Sequence, residues 1–265
     1  MEYISISCDS LLKRITAKDT LFSGDYCIDP YQNCEFGCLY CDSAFDKTIY
    51  VKTNAAKILE RELEKTEKGV IIVGSVHDPY QKAEEEYEIT KNLLKIIKKF
   101  QFPCHILTKS TLVLRDIDLL LSMQCMITVS ITSLDEHVSQ IFEKNIPLPK
   151  ERLKLVQTLS EYGINTGVAL IPVLPYIVEH ELDDIVKAAS GWNAQYLLHK
   201  HLELKGDQKL LFKDIIREHY TNLLSKYNKL YRNDLKPDKK YISDLNDRIR
   251  DCCKKYNISD KITVT

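Results

Sequence analysis

Three cysteines, Cys34, Cys38 and Cys41, lie within the eight-residue segment CEFGCLYC. Thiolates are soft ligands that suit iron and sulfide, and three of them on one tight loop can bind three corners of an iron-sulfur cube. Gly37 lets the backbone curl between them, because glycine accepts left-handed torsions. A structural zinc site needs a fourth ligand, and its ligands usually come in closely spaced pairs such as CxxC. The next cysteine upstream, Cys27, is not part of such a pair. The spacing therefore favours an iron-sulfur cluster over zinc or a chance grouping of structural thiols.

Length and charge place the chain in a broad class. It has 265 residues, with 37 Lys and Arg against 38 Asp and Glu and a formal net charge of -1. This length suits one large core, and the near-neutral charge does not favour a protein that binds nucleic acid mainly by charge. No apolar run is long enough to span a bilayer, and the first residues lack the features of a signal peptide. A cytoplasmic protein with reduced thiols and no membrane contact is therefore expected.

Short apolar runs alternate with helical patterns through the middle of the chain. Strands are predicted at 70–73, 104–107, 126–131, 166–171 and 195–199, and helices at 54–65, 84–100, 116–122, 150–162 and 179–189. A further strand just before Cys34 gives about six strand-helix units. Such alternation produces right-handed crossovers and a parallel sheet, so the predicted fold is α/β, a partial (β/α)6 TIM-like barrel. Loops at the carboxyl ends of its strands are expected to carry the chemistry.

The segment from Lys205 onward has a different pattern and predicts a C-terminal helical extension. Two long helices are expected, divided at Lys236-Pro237-Asp238. The predicted domains are therefore a barrel over residues 1–204 and an extension over 205–265 that packs on it. Between Lys205 and Lys255 there are 14 Lys and Arg against 8 Asp and Glu. A solvated helical cap is favoured over a contact with nucleic acid or an acidic substrate.

With an aromatic residue before its last cysteine, CxxxCxxC resembles the signature of the radical S-adenosylmethionine (SAM) superfamily. Further segments resemble its spore photoproduct lyase-like branch: DPY from 29, GSVHDPYQ from 74, TKS from 108, RD from 115, VSIT from 129, LDE from 134, RL from 152 and PVLP from 172. The resemblance implies an enzyme in which the three cysteines hold a [4Fe-4S] cluster and SAM chelates its fourth iron. One electron then cleaves SAM to a 5'-deoxyadenosyl radical, which abstracts hydrogen from the substrate.

The same resemblance implies two partners. One is a reductant such as ferredoxin or flavodoxin, and the other is an unidentified substrate, which could be nucleic acid, peptide or a small molecule. The sequence also leaves two other functions open. The protein could be an iron-sulfur electron-transfer or binding protein without SAM chemistry, or a zinc-binding interaction module.

Carried over residue by residue, the resemblance implies a cofactor pocket formed by Tyr40, Ser75, Asp78, Lys109, Ser130, Arg152 and Pro172. Tyr40 would stack on or fix the adenine. Lys109 is a mobile cation suited to the methionine carboxylate, and Arg152 could form a forked contact with a carboxylate. Backbone groups at Gly74-Ser75 would meet the methionine ammonium.

At the ends of the later strands, the resemblance assigns Ser130 to the ribose hydroxyls and the Ile171-Pro172 backbone to the adenine edge. Asp78 is shared with the branch and could orient His77 as a proton carrier, although Asp-Pro-Tyr is equally suited to a structural turn. No catalytic residue that donates or receives the hydrogen atom is assigned.

Two positions depart from the branch. Its members usually have proline after the glutamate where this chain has Glu143-Lys144. Photoproduct lyases also carry a hydrogen-donating cysteine that aligns at about Ser75, so the serine argues against that repair reaction. The nearest other thiols, Cys104 and Cys125, begin strands on the opposite side of the barrel and are expected to be core residues.

His199 and His201 alternate on a predicted strand, where both imidazoles would face the same side. A zinc pair would need a third ligand, which the sequence does not offer nearby. We therefore interpret the two histidines as part of a substrate pocket or of the surface.

Overall fold

The computed structural model describes residues 1–16, 21–232 and 235–262. Its strands are β1 (Glu2–Ile6), β2 (Lys13–Arg14), β3 (Tyr26–Ile28), β4 (Tyr31–Gln32), β5 (Thr48–Lys52), β6 (Ile71–Val73), β7 (Cys104–Thr108), β8 (Cys125–Ser130), β9 (Asn165–Val173) and β10 (Tyr196–His201). Its helices are α1 (Ala55–Leu63), α2 (Ala83–Tyr87), α3 (Ile89–Lys99), α4 (Ile117–Leu121), α5 (Glu136–Phe142), α6 (Pro149–Glu161), α7 (Leu182–Gly191), α8 (Gly206–His219), α9 (Leu224–Leu230) and α10 (Lys239–Lys255).

Six parallel strands form the centre of the fold. Their order in the sheet follows the chain, β3-β6-β7-β8-β9-β10, and β2 adds an antiparallel edge beside β3. Each parallel step needs a crossover, and α1, α3, α4, α6 and α7 lie in these crossovers. This arrangement confirms the predicted α/β class and the partial (β/α)6 barrel.

Apolar residues at helical spacing explain how the crossover helices pack. In α1 the buried residues are Ala55, Ile58, Leu59 and Leu63, which form one stripe along the helix. Strands in the middle of the sheet are buried on both faces; for example, the consecutive residues Val168, Ala169 and Leu170 of β9 are all buried. The strands therefore consist of consecutive apolar residues, and this is the sequence feature from which they were predicted.

Several elements differ from the sequence prediction. The helix expected over 84–100 is divided into α2 and α3 at Glu88, whose φ of 46° breaks the helical path. The tail forms α8, α9 and α10 rather than two helices, because the chain leaves the helical conformation at Tyr220. The predicted division near residue 237 is correct, since Asp238 caps α10 by accepting a 2.8 Å hydrogen bond from the amide of Tyr241.

A second, three-stranded sheet of order β1-β5-β4 was not anticipated. It holds the segment that leads into the cysteine loop, since β4 ends at Gln32. The side-chain amide of Asn54, just before α1, bonds to both main-chain groups of Cys8, at 2.9 Å each. No helix in the described part of the chain is long and apolar enough to cross a membrane.

Candidate active site

A cavity of about 450 Å³ opens at the carboxyl ends of the parallel strands. Its lining includes most of the predicted site residues: Cys34, Cys38, Tyr40, Cys41, Ser75, Asp78, Lys109, Ser130 and Pro172. These residues come from the cysteine loop and from the ends of β6, β7, β8 and β9. Cys104 and Cys125 are register partners at the amino ends of β7 and β8, on the opposite side of the sheet. The topology therefore gathers residues that are far apart in the chain.

Within the cysteine loop, Cys34 and Cys38 are buried and Cys41 is partly exposed. Gly37 has a φ of 58°, in the left-handed region that a tight loop requires. Burial raises the pKa of the Cys34 and Cys38 thiols to about 12. Both are therefore protonated at neutral pH unless a positively charged partner such as a metal centre stabilises the thiolate.

Two buried glutamines fix the backbone of this loop. Gln81 is fully buried. Its side-chain carbonyl accepts a 2.9 Å hydrogen bond from the main-chain amide of Glu35, and its side-chain NH2 donates one of 3.2 Å to the main-chain carbonyl of Asn33. It therefore holds the residues on either side of Cys34. Gln208, from α8, donates a 2.7 Å hydrogen bond to the carbonyl of Tyr40 and so holds the loop just before its last cysteine.

Tyr40 is tied to a buried ion pair behind the cavity wall. Its hydroxyl donates to Glu143, which also accepts a 2.9 Å hydrogen bond from Thr132. Arg152 lies 2.5 Å from Glu143 and donates a 2.7 Å hydrogen bond to the carbonyl of Ser130, with both charged side chains fully buried. Although burial alone would raise it, Arg152 holds the pKa of Glu143 below its ordinary value. The carboxylate that Arg152 binds in the structure is therefore Glu143.

Asp78 joins the ends of two strands. It accepts hydrogen bonds of 2.7 Å from the Thr108 hydroxyl, 2.7 Å from the Lys109 amide and 2.9 Å from the Tyr80 amide. These three donors occupy the carboxylate, so its contacts are those of a structural turn rather than of a partner for His77. The Nδ1 atom of His77 is buried and has no hydrogen-bond partner within the described residues. Burial lowers the pKa of His77, which keeps the ring neutral at physiological pH.

Lys109 presents a cation to the cavity. In the described part of the chain, its ammonium group makes no hydrogen bond or ion pair, although the side chain lines the cavity. Burial lowers its pKa, but electrostatic interactions with Cys38, Glu143 and Asp78 outweigh that effect and leave the pKa raised. An ammonium beside the cysteine loop whose hydrogen-bond donors are free can bind the anionic end of a ligand.

Comparison with known proteins identifies the family. A family model described as the radical SAM superfamily matches residues 28–189, which is more than half of the chain. The chain belongs to the radical SAM superfamily. It is therefore a radical SAM enzyme, a class that uses SAM and an iron-sulfur cluster and needs both a reductant and a substrate.

Curated relatives resemble this radical SAM chain over different lengths. An uncharacterized protein of Mycobacterium tuberculosis is 26% identical over 275 residues, which cover 96% of this chain and 81% of the relative. An uncharacterized protein of Methanocaldococcus jannaschii is 30% identical over 167 residues, which cover 59% of this chain and 63% of the relative.

The fold is that of a solved radical SAM protein. A spore photoproduct lyase with bound AdoMet and dinucleoside spore photoproduct superimposes with a TM-score of 0.76 at 15% identity, covering 96% of this chain and 79% of the lyase. This likeness establishes the shared architecture, including the region of the C-terminal helices.

The described residues do not form a ready-made site for a single metal ion. Among residues 1–16, 21–232 and 235–262, no three His, Cys, Asp or Glu side chains converge closely enough to hold one ion. A zinc ion requires its ligands around one point, about 2.3 Å from each sulfur. In an iron-sulfur cube each cysteine binds a different iron, so the sulfurs need to surround a larger object. The family match is what favours an iron-sulfur cluster over the zinc-binding module that the sequence left open.

The two histidines of β10 have different surroundings. The register with β9 shifts between them, since His199 pairs with Leu170 and His201 with Val173, which places the extra residue in β9. His199 bonds through Nε2 to Asn246 of α10 at 2.9 Å, whereas His201 lines the cavity. Sequence reasoning also missed Glu203 and Lys205 in the cavity wall, because they lie beyond the last predicted strand where no periodicity places them.

Proposed function

We propose that this radical SAM enzyme binds a [4Fe-4S] cluster through Cys34, Cys38 and Cys41 and reductively cleaves SAM in the adjoining cavity. The observation that carries the proposal is that the three cysteines and the unpaired ammonium of Lys109 line one cavity at the carboxyl ends of the parallel strands. When bound, the reduced cluster supplies one electron to the sulfonium of SAM, which yields methionine and a 5'-deoxyadenosyl radical that takes hydrogen from the substrate.

The residues around the cavity have complementary tasks in binding SAM. Lys109 pairs with the methionine carboxylate, because it is an ammonium in the cavity wall next to the cysteine loop and makes no hydrogen bond or ion pair within the described residues. The ammonium of the methionine part of SAM faces the backbone groups of Gly74-Ser75. The Ser75 hydroxyl is not free to bind it, because that hydroxyl already donates a 3.1 Å hydrogen bond to Asp29. Gly74 has a φ of 83°, and a Cβ there would lie 2.3 Å from Pro79, so only glycine fits this strand end.

The adenosine end of SAM lies toward the later strands. Ser130, at the end of β8, hydrogen-bonds the ribose, and the backbone of Ile171-Pro172 in β9 meets the adenine edge. Tyr40 offers its ring face to the adenine, because its hydroxyl is held by Glu143 on the far side. Asp78 and Arg152 act through their neighbours by fixing the strand ends and the position of Tyr40.

We infer further that the reductant is a ferredoxin or flavodoxin and that the enzyme works in the cytoplasm. Both inferences rest on the low potential that a cluster of this type requires and on reducing conditions that keep nine cysteines as thiols. The substrate binds at the outer end of the cavity, beyond the sugar of SAM.

Anaerobic reconstitution with iron and sulfide tests the proposal. The wild-type chain should bind four irons with one distinct site in its Mössbauer spectrum, and dithionite with SAM should release 5'-deoxyadenosine. Replacing Cys34, Cys38 or Cys41 by alanine should abolish both results, whereas the matched variant Cys27→Ala, outside the loop, should retain them. A cluster whose spectrum does not respond to SAM would indicate an electron-transfer protein instead, and four protein ligands would overturn the mechanism.

A further inference from the structure

Four groups that are or can become cationic surround one carboxylate just beyond β10. Glu203 lies 3.2 Å from the ammonium of Lys200, 3.3 Å from that of Lys205 and 3.5 Å from that of Lys236. Its side chain is 15% exposed, whereas the three lysine side chains are about half exposed. The Nε2 atom of His201 is 3.8 Å from the same carboxylate, which is too far for a hydrogen bond.

The charges in this cluster do not balance. Three ammonium groups against one carboxylate leave two positive charges in excess, in a chain whose net charge is -1. Each ammonium has three N-H donors, and its contact with Glu203 engages only one of them. The other donors remain free for a ligand. Like charges gathered at one place repel one another, and an added anion would relieve that repulsion.

His201 supplies a second, independent observation. Its Nε2 atom is buried and has no hydrogen-bond partner within the described residues. A buried polar atom without a partner is unfavourable by the cost of removing it from water. Because His201, Lys200 and Lys205 all line the cavity, a ligand oxygen in the cavity could satisfy this atom and the free ammonium donors together.

We propose that Lys200, His201 and Lys205 form a subsite at the mouth of the cavity that binds a phosphate or carboxylate group of the substrate. That this group belongs to the substrate rests on the proposed radical SAM reaction. The binding of the anion itself follows from the charge and geometry of the cluster alone.

This subsite is separate from the place assigned to the methionine carboxylate. Lys109 follows β7, whereas the cluster follows β10, and β8 and β9 lie between them in the sheet. With neighbouring strands about 4.8 Å apart, the two strand ends are roughly 14 Å apart along the sheet. The strands that carry the two cationic sites are therefore three strand spacings apart.

Calorimetric titration of inorganic phosphate and, separately, of acetate tests the subsite at constant ionic strength. The full chain is used both without a cluster and after reconstitution and saturation with SAM, which fills the site near Lys109. We expect the double variant Lys200→Ala/Lys205→Ala to bind the preferred anion roughly tenfold more weakly than wild type. The matched control Lys98→Ala, an exposed lysine of α3, should bind it as wild type does.

The variant Glu203→Gln should change the anion affinity in the direction opposite to that of the double lysine variant. Removing the competing carboxylate should tighten anion binding, whereas a purely structural ion cluster would bind no anion before or after the change. Tighter binding of phosphate than acetate would point to a phosphoryl group on the substrate, and the reverse to a carboxylate.

Two results would overturn the subsite: no phosphate or acetate binding by wild type, or equal affinities for wild type and the double lysine variant. Failure of the proposed function is distinguishable, because it would appear as absent 5'-deoxyadenosine while the titration of the cluster-free chain still reports on the anion.

Discussion

The side-chain amide of Gln208 donates a 2.7 Å hydrogen bond to the main-chain carbonyl of Tyr40, although 168 residues separate them in the chain. Gln208 is 3% exposed, and its own carbonyl accepts a 2.9 Å hydrogen bond from the amide of Lys205 at the start of α8. Phe212 of the same helix stacks on Phe142, whose carbonyl accepts a 3.0 Å hydrogen bond from the cysteine loop. The C-terminal helices therefore help to hold the loop that carries the cysteines.

Gln208→Leu should loosen this loop. The change leaves the buried carbonyl of Tyr40 without its donor, which costs about 1–3 kcal/mol. We expect a lower free energy of unfolding in urea and fewer irons retained per chain after gel filtration. Gln157→Leu, in α6 and outside the cavity wall, should keep the wild-type iron content. Equal iron retention in the two variants would show that Gln208 does not stabilise the loop.

The buried pair of Arg152 and Glu143 should be costly to break from one side. Arg152→Met leaves the Glu143 carboxylate buried without its cation, so we expect a loss of about 3–5 kcal/mol in the free energy of unfolding. Arg217→Met removes a solvent-exposed pair with Asp214 and should cost less than about 1 kcal/mol. Chemical denaturation measures both, and comparable losses would contradict the assignment of a structural role to the buried pair.

Lys109→Met should separate cofactor binding from cluster binding. The substitution keeps the apolar stem but removes the cation, so the dissociation constant for SAM should rise roughly tenfold or more. Iron content should stay at the wild-type level, because Lys109 is not a ligand of the cluster. Equilibrium dialysis with labelled SAM checks the first expectation and iron analysis the second. An unchanged SAM affinity would remove Lys109 from the cofactor site.

Glu203 should make stability depend on pH under acidic conditions. Burial raises its pKa, but Lys200, Lys205 and Lys236 outweigh this effect and lower it from 4.5 to about 2. A carboxylate with a depressed pKa contributes stability that is complete above 4.5 and is lost as the pH falls toward about 2. The free energy of unfolding, measured in urea, should therefore fall more steeply with decreasing pH across this window for wild type than for Glu203→Gln. Parallel curves would show that the ion cluster does not form.

The sequence by itself determined the features that depend on neighbours in the chain. The spacing of Cys34, Cys38 and Cys41 indicated the kind of centre, because ligands on one short loop are brought together by the loop itself. Apolar runs and helical stripes located the six parallel strands and their crossovers, since those periods reflect which faces are buried. Parallel strands then place their carboxyl ends along one edge, so the cavity could be anticipated at that edge.

Only the tertiary structure decided which polar groups meet across the fold. The hydrogen bonds of Gln81 and Gln208 to the cysteine loop, and the pairing of Arg152 with Glu143, join residues whose separations leave no periodic trace. Folding also gave the two histidines of β10 different partners, since His199 bonds to Asn246 of α10 and His201 lines the cavity. Hydrophobic patterning fixes which face of an element is buried, but the direction of an individual polar side chain depends on partners that folding brings within about 3 Å.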